Sequence, residues 1–251
     1  MSNRANQSDA PHTVNQCCEV IMNSENGAPL TAEQQAYTMI KDRILNMTYM
    51  PGRVLSDSEV AAELNLSRTP VLQALRYLEC EGLVNRQHRQ GWQICALSLD
   101  DIHDIFNIKE ALGVMLARQA VQCQDETLRE AMRAAVEGMI RANEAGDIKT
   151  WEEYHRQWHD ALMAMSEYPA GRVEGILNNL NDQWRRVRNG LLAIEGRMDR
   201  ETHEHQVVAD AILSGNGDEA EQRMRKHLQS VRHDLVDLLT HLVLPFAPHG
   251  I

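Results

Sequence analysis

Two histidines four residues apart, His155 and His159, are the first residues whose types and spacing suggest chemistry. Residues at positions i and i+4 of a helix lie on one face, so both imidazoles would point the same way. His205 and His227 fall on the inward apolar stripes of two later helical segments. Neutral imidazole suits zinc, nickel, cobalt and copper, so four histidines directed at one helical core predict a transition-metal site.

The pattern leaves two alternatives open. Any one of these histidines, taken alone, is better explained as an ordinary hydrogen-bonded core residue. A bound ion could also activate water for hydrolysis, with Glu204 or Asp160 as the adjacent general base. The sequence contains no HExxH motif, nucleophile elbow or phosphate-binding loop, so we do not expect an enzyme.

The histidines belong to a long C-terminal stretch that shows only helical periodicity. Glycine and proline positions interrupt it, and no alternating strand pattern competes with the helical one. The sequence therefore predicts an all-helical bundle of six or seven helices. The approximate segments are 100–122, 125–145, 147–167, 169–195, 200–214 and 217–243.

A different kind of element precedes the bundle. The segment LNLSRTPVLQALRYLECEGLV, residues 64–84, carries one apolar stripe at helical spacing. Ser67, or alternatively Thr69, can cap its first turn, and Gly82 can adopt the left-handed conformation that ends a helix. These features predict a recognition helix of a DNA-binding motif.

The flanking residues extend this prediction to a winged helix-turn-helix. Ser56 and Glu59 have the spacing of a capping box, followed by a short helix over about 57–64. Two short strands, at about 83–86 and 92–96, would form a small β-wing after the recognition helix. A helical hairpin without any role in DNA binding has the same helix spacing and remains the alternative.

The segments AYTMIKDRIL, PGRVLSDSEVAAELNLSRTPV and LRYLECEGLV together resemble the winged-helix domain of the GntR family of bacterial transcription regulators. The similarity runs from about residue 31 to residue 97. It implies that Arg68 and Thr69 contact DNA and that Gly91 lets the wing tip approach the minor groove. The expected DNA-binding residues are Ser67, Arg68, Thr69, Gln73, Arg76 and Gly91.

Two positions depart from the family pattern. Leu72-Gln73 stands where the family usually has Arg-Glu, and Ser58 stands where it usually has a basic residue. Two expected contacts to phosphates or bases are therefore missing. The candidates to replace them are Arg43, Arg76, Arg86 and Arg89.

The bundle resembles FCD, the helical effector domain of one GntR branch, from about residue 100 to residue 242. The similarity is carried by DDIHDIFNIKEALGVMLARQA, Trp158-His159, EHQVVADAI and MRKHL. The resemblance implies four metal ligands, which are His155, His159, His205 and His227. The first family ligand is commonly Asp, so a histidine there is a departure. Four neutral ligands would leave the full charge of the ion available to an anionic effector.

The usual effectors of the family are small organic acids bound beside or on the metal. Lys109 stands where many relatives carry Arg, and it would contact a carboxylate as a point charge. Arg185, Arg186 and Arg188 lie in the fourth bundle segment, and spacing lets one of them face inward. We take Lys109 and Arg188 as the expected effector contacts, and zinc or nickel as the expected ion.

The net charge is compatible with DNA binding only when it is counted separately for each predicted domain. The 251 residues carry a net charge of −11, but residues 31–97 hold seven basic and seven acidic side chains. No apolar run approaches the roughly 20 residues of a membrane span, and residues 1–30 lack signal-peptide features. The five cysteines show no disulfide or zinc-ribbon spacing. We therefore expect a cytoplasmic protein without a membrane partner.

The sequence as a whole predicts a mainly α protein in three parts. Residues 1–30 form a disordered tail, residues 31–97 a winged helix-turn-helix domain, and residues 98–251 a helical effector-binding and dimerisation domain. The predicted function is a transcription regulator, by family default a repressor, that binds an inverted-repeat operator as a homodimer and responds to a small carboxylate. The alternatives are a sensor whose signal is the metal ion itself and, less favoured, a metallohydrolase.

Overall fold

The computed structural model describes residues 29–88, 90–166, 171–192 and 194–240, apart from the side chains of residues 184 and 187–190. The chain divides into two compact units, one up to Ala96 and one from Leu97 onward. The predicted N-terminal tail lies outside the described residues except for Pro29 and Leu30, and so does the end of the last predicted helical segment.

The first unit is a winged helix-turn-helix, as the sequence predicts. Its elements are α1 (Ala32–Leu45), β1 (Val54–Leu55), α2 (Asp57–Leu64), α3 (Arg68–Cys80), β2 (Val84–Gln87) and β3 (Gly91–Ile94). The strands form an antiparallel sheet in the order β1-β3-β2, with Arg86 opposite Trp92. Sequence analysis missed β1, because a strand of two residues shows no period.

The helix ends of the first unit differ in detail from the predicted caps. The Ser56 hydroxyl accepts a hydrogen bond from the Glu59 backbone N–H at 3.1 Å, but the Glu59 carboxylate pairs with Arg53 at 2.8 Å instead of completing a capping box. Ser67 occupies the N-cap position of α3 without making a side-chain cap hydrogen bond. The reason is Pro70, the third residue of α3, which has no N–H for the hydroxyl to accept from.

Gly91 occupies a position in the wing that no other residue fits. Its φ is +119°, and a Cβ built there would lie 2.3 Å from the backbone oxygen of Leu55. The first residue of β3 therefore lies directly against β1. This contact is a structural reason for glycine, separate from the approach to DNA that the family resemblance implies.

The second unit is a bundle of helices throughout the residues that the structure describes there. Its helices are α4 (Leu99–Ala120), α5 (Glu126–Glu144), α6 (Ile148–Met165), α7 (Arg172–Leu192), α8 (Arg197–Leu213) and α9 (Gly217–Leu238). The pairs α5/α6 and α4/α9 pack most extensively. No described helix is both long and apolar enough to cross a membrane.

Replacing Gly91 by alanine should destabilise the first unit far more than the same change at Gly52. Gly52 also has a positive φ, +82°, but a Cβ there meets nothing within 4 Å. We expect a loss of about 1–2 kcal/mol for Gly52→Ala from the left-handed backbone alone. Gly91→Ala adds a backbone clash worth about 1–3 kcal/mol. Chemical denaturation of the full chain measures both, and equal losses would contradict the contact with β1.

Candidate metal centre and DNA-binding surface

Helix α6 directs a stripe of large rings into the bundle. The Asp147 side chain accepts a hydrogen bond from the Thr150 backbone N–H and so caps the start of the helix. From there the buried residues Trp151, His155 and Trp158 recur at steps of four and three residues. This is the spacing of one helical face, which places a histidine between two tryptophans in the interior.

Three histidines from two helices meet in this interior. One nitrogen from each of His155, His159 and His205 lies within 4.8 Å of the other two. The ring centroid of His155 is 4.6 Å from that of His159 and 4.7 Å from that of His205. His155 and His205 are buried, whereas His159 is half-buried. These three residues could hold a metal ion.

His205 has the chemical state that a metal ligand requires. Its Nδ1 lies 2.7 Å from the backbone oxygen of Glu201 and so carries the proton that it donates there. Its Nε2 is buried and has no hydrogen-bond partner within the described part of the chain. Burial first, and then the neighbouring imidazoles, hold the pKa of His205 well below its ordinary value of 6.5. The ring is therefore neutral and its Nε2 lone pair fits a metal ion.

His227 lies beside this cluster on α9. Its ring centroid is 4.4 Å from that of His205, and only 4% of the residue is exposed. Its Nδ1 lies 2.9 Å from the Glu204 carboxylate. Burial alone would raise the pKa of Glu204, but the contacts with His227, Ser230 and Arg197 together hold it below its ordinary value. His227 is outside the set of three, so its role as fourth ligand stays a prediction.

A buried arginine balances the acidic groups around the histidines. Arg197 is fully buried, and its guanidinium lies 3.5 Å from Glu201, 3.4 Å from Glu204 and 3.3 Å from Asp234. Glu201 in turn lies 3.5 Å from His155 Nε2. Carboxylates in this position orient imidazole ligands and raise their basicity. Sequence analysis considered Glu204 only as a general base and missed Glu201 and Arg197.

The two buried tryptophans of α6 differ in how their indole N–H groups are satisfied. Trp151 donates to the Thr202 hydroxyl at 2.7 Å, and its ring stacks on His155 with centroids 4.9 Å apart. Trp158 lies 4.6 Å from His205 and 5.0 Å from His159, ring centroid to ring centroid. Its Nε1 is buried without a hydrogen-bond partner among the described residues. Leaving such a donor unpaired costs about 1–3 kcal/mol.

The predicted effector contacts have mixed outcomes. Lys109 is 7% exposed, and its ammonium group donates a hydrogen bond to Asn181 on α7. The side chain of Arg188 lies outside the described residues, so its role stays a prediction. Arg186 is 5% exposed and donates to Gln183, which makes it the inward-facing arginine of the two neighbours whose side chains are described.

In the first unit, the predicted DNA-binding residues gather at the start of α3. Ser67, Arg68 and Thr69 are exposed, and Gln73 and Arg76 follow on later turns. Arg68 donates to the Asp57 carboxylate from Nη2 at 2.8 Å and from Nε at 3.2 Å. The Arg68 hydrogen bond is the main cause that lowers the pKa of Asp57. This ion pair joins the starts of α2 and α3, and sequence analysis did not foresee it.

One departure from the family pattern and one candidate to replace the missing contacts now have structural explanations. Leu72 is half-buried and packs against the core of the first unit. Arg43, a candidate to replace the missing contacts, pairs with Glu63 at 2.7 Å and with the Tyr49 hydroxyl. It is therefore engaged within the fold. Arg89, another candidate, lies outside the described residues.

Comparison with known proteins covers both units. Residues 32–94 match the family described as bacterial regulatory proteins, gntR family, and residues 104–230 match the FCD domain. An HTH-type transcriptional regulator of Agrobacterium vitis, from the TAR-I ttuE-ttuC' intergenic region, is 33% identical over 132 residues. Those residues make up 51% of this chain and 77% of that relative.

Further relatives extend over most of the chain. The HTH-type transcriptional repressor RspR of Escherichia coli is 23% identical over 198 residues, which are 79% of this chain and 86% of RspR. The solved structure of Escherichia coli McbR/YncC has the same fold, with a TM-score of 0.67 at 17% identity, over 82% of this chain and 98% of that one. The family resemblance is thus confirmed, and so is the prediction that the protein is not an enzyme. The chain belongs to the GntR family of bacterial DNA-binding transcription regulators, in the branch that carries an FCD domain.

Proposed function

We propose that this regulator is a homodimeric repressor whose operator affinity is controlled by a small carboxylate bound at or near a metal ion. The ion, zinc or nickel, would be held by His155, His159, His205 and His227. The proposal places the DNA contacts on the start of α3 and the signal in the helical bundle. The protein would act on its operator in the cytoplasm.

One observation carries the metal part of this proposal. The Nε2 atom of His205 is a buried lone pair without a hydrogen-bond partner among the described residues, in a ring held neutral by its surroundings. One ring nitrogen each of His155 and His159 lies within 4.8 Å of a ring nitrogen of His205. These three imidazoles could ligate one divalent ion, and imidazole ligands favour zinc, nickel or copper over magnesium or calcium.

The carboxylate part rests on the charge of the proposed ligands and on two buried cations of the bundle. Four histidines would contribute no negative charge, so a bound ion would keep its attraction for an anion. Lys109 and Arg186 are buried cationic side chains on α4 and α7. Buried cations of this kind suit a carboxylate, for which an arginine can supply two parallel hydrogen bonds.

The dimer and the repressor assignment rest on the family. A protein with two-fold symmetry presents two recognition helices to two half-sites, which matches an inverted-repeat operator. Two of the relatives, RspR and GlaR of Escherichia coli, are named as repressors. A protein that stays monomeric at micromolar concentration, or an operator without an inverted repeat, would count against this part.

A second candidate is a sensor whose signal is the metal ion itself. Half-buried His159 leaves the cluster open on one side, which would favour exchange of the ion. The two candidates differ in a dialysis experiment. A resident ion should survive dialysis, whereas a sensed ion should exchange and change the affinity for DNA.

The decisive experiment is fluorescence anisotropy on DNA from upstream of the protein's own gene, with unrelated DNA as competitor. We expect specific binding that survives the competitor and changes when the metal is removed by a chelator. Binding that is specific but indifferent to the chelator would retain the regulator and reject the metal-linked control.

Replacing Arg68 by alanine should weaken operator binding about 10- to 100-fold, the loss typical of one specific base contact. Arg133→Ala is the matched control, because Arg133 lies on α5 in the other unit and pairs only with acidic residues of its own helix among the ion pairs described. The same anisotropy titration measures both variants. An Arg68→Ala protein that binds as tightly as the control would remove Arg68 from the DNA contacts.

Replacing Glu204 by glutamine should weaken metal binding about 10- to 100-fold, because the carboxylate orients His227 and raises its basicity. Glu153→Gln, on the exposed face of α6, removes the same charge away from the cluster. Competition with a chromogenic chelator gives both metal affinities. Equal affinities would mean that His227 needs no orienting carboxylate or is not a ligand.

A further inference from the structure

We propose that the indole N–H of Trp158 donates a hydrogen bond to a carboxylate oxygen of the effector, beside His159 and His205. The proposal rests on the proposed function and deepens it. It names a residue that selects the effector and the atom of the effector that this residue recognises.

Two neighbouring rings of the bundle interior each carry a buried polar atom. The Nε1 of Trp158 and the Nε2 of His205 are both buried, and neither has a hydrogen-bond partner among the described residues. The two ring centroids are 4.6 Å apart, and the rings are nearly perpendicular, at 81°. Both residues have no exposed surface. One small region of the interior therefore contains two unsatisfied polar groups.

The two groups need partners of opposite character. Indole N–H is a donor only, whereas the Nε2 of His205 presents a lone pair because its Nδ1 carries the proton. A metal ion satisfies the lone pair, but it repels the N–H and cannot satisfy it. The donor requires an acceptor atom next to the ion. An anionic oxygen meets this requirement, since it can bind the ion and accept from the indole together.

The other tryptophan of α6 shows that such a donor can be satisfied within the protein. Trp151 is equally buried and lies at a similar centroid distance, 4.9 Å, from a histidine of the cluster, yet its N–H donates to Thr202 at 2.7 Å. Trp158 therefore differs from Trp151 in its missing partner and not in its burial. The ring of Trp158 also lies against His159, which is half-buried and so less enclosed than His155 and His205.

The test compares Trp158→Phe with Trp151→Phe in the full chain. Both changes keep an aromatic ring but replace the indole by a smaller phenyl ring that has no N–H donor. Each protein is first titrated with Co²⁺, whose visible absorption reports on the histidine site. The cobalt-loaded proteins are then titrated with acetate as the carboxylate probe. Thermal unfolding of each variant checks that it is folded.

We expect all three proteins to bind Co²⁺ with similar affinity. Trp158→Phe should bind acetate about tenfold more weakly than the wild type, equivalent to about 1.4 kcal/mol. Trp151→Phe should keep the acetate affinity and unfold at a lower temperature, because it loses the hydrogen bond to Thr202. Equal acetate affinity in Trp158→Phe and wild type would overturn the proposal. This is also the result expected if the indole N–H donates to a water molecule and not to the carboxylate.

A second measurement does not require the variants and the wild type to bind Co²⁺ with the same affinity. The chain has four tryptophans, so labelling with ¹⁵N gives at most four indole N–H resonances, and Trp158→Phe identifies one of them. In the zinc-loaded wild type, acetate should move that resonance downfield, and a resonance that stays in place overturns the proposal. Absence of Co²⁺ binding in the wild type would instead reject the metal-linked part of the proposed function, and this inference with it.

Discussion

The ion pairs of Arg197 are the constraint on which the interior of the helical unit depends. A fully buried guanidinium is tolerable only where carboxylates surround it, and removing one partner of such a group typically destabilises a protein by about 3–5 kcal/mol. Here the partners are Glu201, Glu204 and Asp234. Because Glu201 and Glu204 also approach histidines, the same charges that permit Arg197 to be buried fix the geometry of the candidate metal centre.

Much of the fold could be predicted because it depends on local periodicity. The spacing of His155 and His159 placed both on one face of a helix, and His155 is indeed buried there, although sequence analysis did not single out the stripe that it shares with Trp151 and Trp158. The glycine and proline positions predicted most ends of the bundle helices to within about three residues. The recognition helix was equally clear, since its apolar stripe and its terminal Gly82 are both local signals.

What could not be predicted depends on pairs of residues far apart in the chain. The contact of Glu204 with His227 joins two helices, and that of Asp57 with Arg68 joins two helix starts. The strand β1 exists only because β3 pairs with it. Even the predicted cap hydrogen bond of the Ser67 side chain is absent, because the proline three residues later has no N–H to donate. The unsatisfied indole of Trp158 is visible only when every neighbouring group has been placed.

The Asp57–Arg68 ion pair bears on the thermodynamics of DNA binding. A cationic side chain in water is accompanied by mobile anions, and DNA by condensed cations whose release drives association and makes it sensitive to ionic strength. The charge of Arg68 is instead neutralised by the protein itself, since its Nη2 lies 2.8 Å from the carboxylate of Asp57. In the proposed contact with DNA, Arg68 would exchange the carboxylate of Asp57 for another fixed acceptor, a phosphate or a base edge of the DNA. Residues 31–97 also hold equal numbers of acidic and basic groups. Affinity for the operator would then depend more on fit to the base edges and less on counterion release.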